Sequence, residues 1–209
     1  MKNINWLNHF VEFVVVILGI LIAFQLSTCT EKKRQKVLIK EHLENIKAET
    51  GINKRNITGA LELAESSKAK LDSLFVILPR DSALNTVNNF SLALLDIGGV
   101  YIKKNAYRSL TESGDIRHIH NFKLKNEIVN LYEYYGWVRG IDEIHVNIYD
   151  KSYFPYILKN LDLVGGKVQA AEVYRSKDYK NIQASYRFFL VNRIKKYKDC
   201  LEVMDKFSS

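Results

Sequence analysis

Two prolines and ten glycines in 209 residues leave this chain few places to break or turn. A sandwich or barrel of strands needs a turn signal roughly every 8–12 residues, so that architecture is disfavoured and long helices are expected. Cysteine is equally scarce: Cys29 and Cys200 are too few and too far apart for a disulfide framework or a zinc knuckle. Also missing are a phosphate-cradling glycine loop, an H-E-x-x-H pair and a nucleophile elbow. No catalytic residue, metal ion or cofactor is therefore assigned, and the chain is expected to bind rather than to catalyse. The nearest approach to a metal site is His118 and His120, which flank Ile119 near Asp115 and would suit a cation if the stretch were extended. Glu127, Glu133, Asp142 and Glu143 share one predicted helix with no second carboxylate-bearing helix to face them, so a di-metal bundle is not supported.

What the chain does have is a long apolar run meeting a dense basic cluster with no proline between them. Phe13 to Phe24 contains no polar side chain. Extended to Phe10 and Leu26, the segment makes a helix of roughly 25 Å, slightly short of a hydrocarbon core of about 30 Å. Trp6, Asn8, Ser27 and Thr28 suit the interfaces. Glu12 and Gln25 are the strongly polar side chains of this span. Glu12, a turn or so from its start, reads either as a tolerated interfacial carboxylate or as a proton-responsive, partner-pairing group, with Gln25 as an interhelical hydrogen-bond donor. A cleaved signal peptide is not expected, because Lys2 alone precedes the run and no A-x-A-like site follows. Leu26-Ser27-Thr28-Cys29 matches a lipoprotein signal only in part, since threonine is larger than the residue that normally precedes the acylated cysteine.

Lysine and arginine number 31 against 23 aspartates and glutamates, a net charge of +8. The excess gathers just after the apolar run, at Lys32, Lys33, Arg34 and Lys36, and in the last thirty or so residues. Solvated helix faces account for such runs most often, and anionic lipid headgroups or nucleic acid are the partners they would otherwise suit. Nucleic acid is disfavoured here, because Tyr186, Phe189 and Tyr197, interleaved with Arg187, Arg193 and Lys195, fall on a core stripe. The crowding of positive charge on one side of the span places a single-pass protein in a cell inner membrane with its large domain in the cytoplasm, the periplasm being the alternative.

From Ile39 the pattern becomes periodic. Positions 39, 43, 46, 50, 53, 57, 61, 64, 68, 71, 75 and 78 recur at steps of three and four, which predicts a stalk helix with one buried stripe. Thr50, Asn53 and Lys68 are the places where a strict coiled coil would be weakened or its register fixed. The stripe must pack on a second copy or on helices downstream. Further helices are expected over 83–97, 101–112, 122–149 with an extension past Pro155, and from Ser176 onward. Asn121 is placed as a cap and Gly114 as a left-handed turn, so that Tyr107, Leu110 and Gly114 make a corner, either structural or a partner-docking loop. Three regions follow: residues 1–30, tail and anchor; 31–78, stalk; and 79–209, an antiparallel helical bundle, all-α throughout.

The run from Ala106 to Ile116, then Leu124-Lys125-Asn126-Glu127-Ile128 and Leu131-Tyr132-Glu133-Tyr134-Tyr135, resembles the middle motif of an uncharacterised family of single-pass membrane proteins common in Bacteroidota, A-Y-x-S-L-x-S-S-G-x-L. In the anchor Glu12, Gly19, Ile22-Ala23, Gln25 and Glu31-Lys32 fit that family's pattern, and Cys29 departs from it by standing where relatives carry tryptophan. The resemblance implies no known activity. The function expected is that of a membrane-anchored interaction protein, a scaffold, sensor or accessory subunit partnered by the bilayer and by itself or another membrane protein; the alternative is a subunit of a proton-coupled complex in which Glu12 titrates.

Overall fold

The computed structural model describes residues 6–168 and 170–208, the side chains of 6–9 and 208 apart, so Lys2 and the Trp6 and Asn8 side chains lie outside the description. The chain is all-α, and no strand occurs among the described residues. Helix α1 spans Trp6–Ile77, 72 residues or about 108 Å. Gly51 and Gly59 do not interrupt it. A 3-10 turn over Asp81–Ala83 leads to α2 (Leu84–Ala93), an irregular stretch leads to α3 (Asn105–Glu112), and a second 3-10 turn over Asp115–His118 leads to α4 (Phe122–Ile148). A π turn at Tyr149–Tyr153 joins α4 to α5 (Phe154–Asn160); the wider turn accommodates Pro155, which has no N–H to offer the helix ladder. The short α6 (Ala171–Arg175) precedes the last long helix, α7 (Lys177–Ser208).

Three long helices make the frame. Lys54 pairs with Asp205, Glu65 with Lys198 at 2.6 Å and Asp72 with Arg187 at 2.5 Å, so α7 runs antiparallel to α1. His42 meets Asp115 and Glu49 meets Tyr132, so α4 runs parallel to α1 and antiparallel to α7. The stripe on α1 therefore packs on this chain's own helices. Its deepest positions are Ile46, Thr50, Asn53, Ile57, Ala60, Ala64, Ser67, Leu71, Leu74 and Leu78, while Leu61, Lys68 and Phe75 flank them half-buried. On α4 the buried face is Ile128, Leu131, Tyr135, Val138, Asp142 and His145.

The predicted second helix stops four residues early, at Ala93, and the third starts four residues late, at Asn105. Tyrosine explains the first difference. Tyr153 Oη donates to the Ser91 carbonyl at 2.9 Å, Tyr186 Oη to Leu94 at 3.2 Å and Tyr149 Oη to Leu95 at 3.2 Å. Carbonyls that a longer helix would have used are thus satisfied by phenols from α5's approach and α7. Tyr174 donates to Asn88 Oδ1 at 2.7 Å and Tyr179 shares a 2.6 Å hydrogen bond with Ser91 Oγ, closing a cage of tyrosines around α2. Gly136 and Gly140, four apart on α4, face open space, so no neighbouring helix closes on them.

Candidate functional site

Residues 10–27 of α1 are exposed throughout, and this is a segment long and apolar enough to cross a membrane. Beyond Leu26 two threonine hydroxyls bond back into the helix: Thr28 Oγ1 donates to the Phe24 carbonyl at 2.9 Å and Thr30 Oγ1 to the Leu26 carbonyl at 3.0 Å. Such back-bonding satisfies the hydroxyls without water. Counted from Phe10 to Thr30 the segment is about 30 Å long, which matches the thickness of a hydrocarbon core. Glu12 and Gln25 lie at opposite ends of the segment on nearly opposite faces, since 13 residues at 100° leave them roughly 140° apart.

Where α1 first gains neighbours, the corner grips it. Gly114 takes a left-handed conformation at φ 78°, Leu110 is fully buried, and Tyr107 stacks on Tyr132 with ring centres 4.3 Å apart. Glu49, buried on α1, accepts from Tyr132 Oη at 2.5 Å and from the Ala106 amide at 3.0 Å. Its carboxylate thus sits at the amino end of α3, where the helix dipole favours negative charge. Burial and the Glu49 carboxylate push the Tyr132 phenol far above its usual range. Two turns toward the apolar segment His42 Nε2 lies 3.1 Å from Asp115 Oδ2, and hydrogen bonds from Ser113 and then His42 hold that carboxyl below its ordinary value. Asn53, a polar interruption of the stripe, accepts from the Lys103 amide at 2.8 Å and donates to its carbonyl at 2.9 Å.

Below the corner, α7 has already ended, and among the described residues the 3-10 turn and the start of α4 flank the stalk. Between them opens a cleft of about 580 Å³. Lys32, Gln35 and Lys36 line one side, His118 and His120 the other. The floor is apolar, formed by Ile39, Leu43 and Leu124. Lys33 and Arg34 stay exposed outside it. Two groups predicted separately, the basic cluster and the histidine pair, are therefore brought together. His118 Nε2 accepts from Arg117 Nε at 3.2 Å, and no three His, Cys, Asp or Glu side chains converge among the described residues.

A second feature was not foreseen. Arg193, 3% exposed on α7, donates to Asp142 Oδ1 at 2.8 Å, to the Tyr197 hydroxyl at 2.6 Å, to the Ile97 carbonyl at 2.8 Å and to the Gly98 carbonyl. Asp142 also accepts from Tyr197 Oη at 2.6 Å and from the Val100 amide at 3.0 Å. One guanidinium and one carboxylate so pin the irregular 97–100 stretch to α4 and α7. His145, one turn on, has neither ring nitrogen hydrogen-bonded; burial and then the Arg193 charge depress its basicity to about 4. An open groove of about 690 Å³ runs past this latch between residues 99–105 and the 139–147 face of α4 with the π turn after it, Lys104, Arg139, Glu143 and Asp150 standing on its walls. Arg139 and Glu143 pair at 2.7 Å along one helix, the geometry of a surface ion pair.

Cys29 is an exposed thiol on α1, and Cys200 is buried, its thiol pushed up to about 12 by desolvation. Comparison with family models, with curated proteins and with solved structures returned no match.

Proposed function

We propose that this chain is a single-pass membrane-anchored interaction protein, a scaffold, sensor or accessory subunit, whose bundle stands on the cytoplasmic side and acts by binding another protein or a second copy. The observation that carries this reading is the continuity of α1. One helix leaves a fully exposed apolar segment and enters the bundle core without a break, so the bundle is held at a fixed attitude to the bilayer. Charge asymmetry about the span supports the side. The resemblance to single-pass proteins of Bacteroidota accords with the architecture.

The test is site-specific photo-crosslinking in native membranes. A photoreactive side chain replaces Trp137, Ile144 or Phe188, which are exposed on the outer faces of α4 and α7. Discrete adducts from membrane-embedded protein are the expected result. A chain that resists alkaline extraction yet gives no adduct from any of these positions would count against the reading. A second reading, with Glu12 titrating inside a proton-coupled complex, draws on that carboxylate's place in the apolar segment. Glu12→Gln separates the two: adducts and function unchanged favour the interaction protein, whereas function lost with adducts intact favours the proton-coupled subunit.

A further inference from the structure

We propose that the cleft between the stalk and the start of α4 is a binding site for the phosphate of an anionic membrane lipid, drawn from the leaflet out of which α1 emerges. The inference rests on the reading of Phe10–Thr30 as a membrane span.

Position is the first argument. With the hydrocarbon boundary at Thr30, Lys32 stands about 3 Å and Lys36 about 9 Å beyond it at 1.5 Å per residue. The polar layer of a leaflet is roughly 5–8 Å deep, the difference between the full bilayer and its core shared over two sides. The mouth of the cleft therefore opens among the headgroup phosphates, and its upper wall stands at their outer edge. A soluble anion would have no reason to be met at this level in preference to a lipid.

Charge is the second argument. Lys32 and Lys36, one turn apart, present two ammonium groups on one wall, and the imidazoles of His118 and His120 offer N–H donors from the other. Among the described residues no carboxylate lines the cleft. Of the acids nearby, Glu31 accepts from Gln35 at 3.3 Å, the Asp115 carboxylate is held by Ser113 and His42, Glu44 pairs with Lys40 at 3.8 Å and Glu127 with Lys123 at 3.9 Å, while Glu41 is exposed and does not line the cleft. Among the described residues neither Lys32 nor Lys36 belongs to an ion pair. Two cations without a counter-ion on one wall, facing imidazoles on the other wall of the same concavity, are what a phosphate requires.

The floor is the third argument. Ile39, Leu43 and Leu124 are half-buried apolar side chains packed against the core, so the charges stand over protein rather than over bulk water. A lower local dielectric strengthens their attraction for an anion. Lys33 and Arg34, equally close to the bilayer but outside the cleft, lack both the second wall and the floor.

The test uses the full chain in nanodiscs of phosphatidylcholine containing a minor fraction of phosphatidylglycerol, with co-purified lipid counted by native mass spectrometry. Retention of the chain in the disc reports on the span by itself, apart from the lipid count. The wild type is expected to hold phosphatidylglycerol in preference to phosphatidylcholine, and Lys32→Gln with Lys36→Gln to weaken that binding about thirtyfold, at about fivefold per lysine. Lys33→Gln with Arg34→Gln, which removes the same charge, is expected to change it no more than about threefold. His118→Asn with His120→Asn is expected to fall between the two. Equal losses from the Lys32–Lys36 and the Lys33–Arg34 exchanges would overturn the site in favour of general attraction to the surface. Displacement of the lipid by millimolar inorganic phosphate would overturn the lipid assignment in favour of a soluble phosphate. Unchanged helicity by circular dichroism keeps each comparison interpretable, since none of the residues exchanged is buried.

Discussion

Arg193 and Asp142 show how much rests on single side chains. Removing the guanidinium alone, as in Arg193→Met, leaves a carboxylate in the core facing the Tyr197 phenol and frees the Ile97 and Gly98 carbonyls. Loss of one partner of a buried pair costs about 3–5 kcal/mol. Urea denaturation of the detergent-solubilised protein is expected to show a loss of that size, and Asp142→Leu added to Arg193→Met to recover part of it, because no uncompensated charge then remains although the Ile97 and Gly98 carbonyls and the Val100 amide stay without their partners. His145 gives a pH signature at the same spot. The unfolded chain takes up its proton near 6.5, and the folded chain refuses it until about 4. The folded value is depressed for a base, so the unfolded state binds more protons between those two values. Stability is whole above pH 6.5 and falls as the pH drops from 6.5 to 4, by up to about 3 kcal/mol in total, with no further loss from this group below 4. Thermal melts across that window should show the decline in the wild type and a flatter profile in His145→Phe. None of this pairing is legible locally: Asp142 and Arg193 sit on helical stripes 51 residues apart, and periodicity ranks them only as positions that face inward.

At the scale of elements, glycines divide into two groups by what surrounds them. Gly98, at φ 42°, lies where a Cβ would collide with the Leu63 side chain of α1, and Gly114 adopts φ 78° with more room around it. Gly98→Ala is expected to cost about 2 kcal/mol or more, strain and collision together, and Gly114→Ala about 1 kcal/mol from strain alone. Gly59, Gly136 and Gly140 are helical with open space beside them, so alanine at each is expected to stabilise by about 0.5–1 kcal/mol. Chemical denaturation of the five variants checks the ordering. The long helices were legible from sequence because three-and-four spacing survives over many turns, and the Asn121 cap, which accepts from the Leu124 amide at 3.1 Å, was legible from its residue type. Residues 94–104 were not. Leu94-Leu95-Asp96-Ile97 continues a helical pattern, and what ends the helix is the set of tyrosine hydroxyls arriving from 149, 153 and 186. The α6 helix escaped notice because five residues carry too little periodicity.

The whole molecule is polarised along one axis. The apolar segment stands at one end, the basic cleft and the corner come next, the α4–α7 latch lies in the middle, and the tyrosine cage closes the far end. Contacts between α1 and the rest of the chain begin near Ile39. A chain lacking residues 1–30 is therefore expected to fold as a soluble monomeric bundle with the helicity and melting temperature of the anchored form, by circular dichroism and light scattering; failure to fold would show that the span contributes to the core. The cleft could not be read from sequence, because its two walls lie more than eighty positions apart and each wall alone looks like an ordinary solvated run. The unbroken passage of α1 from the apolar segment into the core also turns length into angle. Each residue inserted or deleted between Thr30 and Ile39 swings the whole bundle by about 100° about the span axis and raises or lowers it by about 1.5 Å. Changes of seven or eleven residues return it to within about 20° of its starting heading. The face turned to a neighbour in the plane of the membrane is therefore set by arithmetic in the stalk, and natural variation in that stretch should come in those lengths.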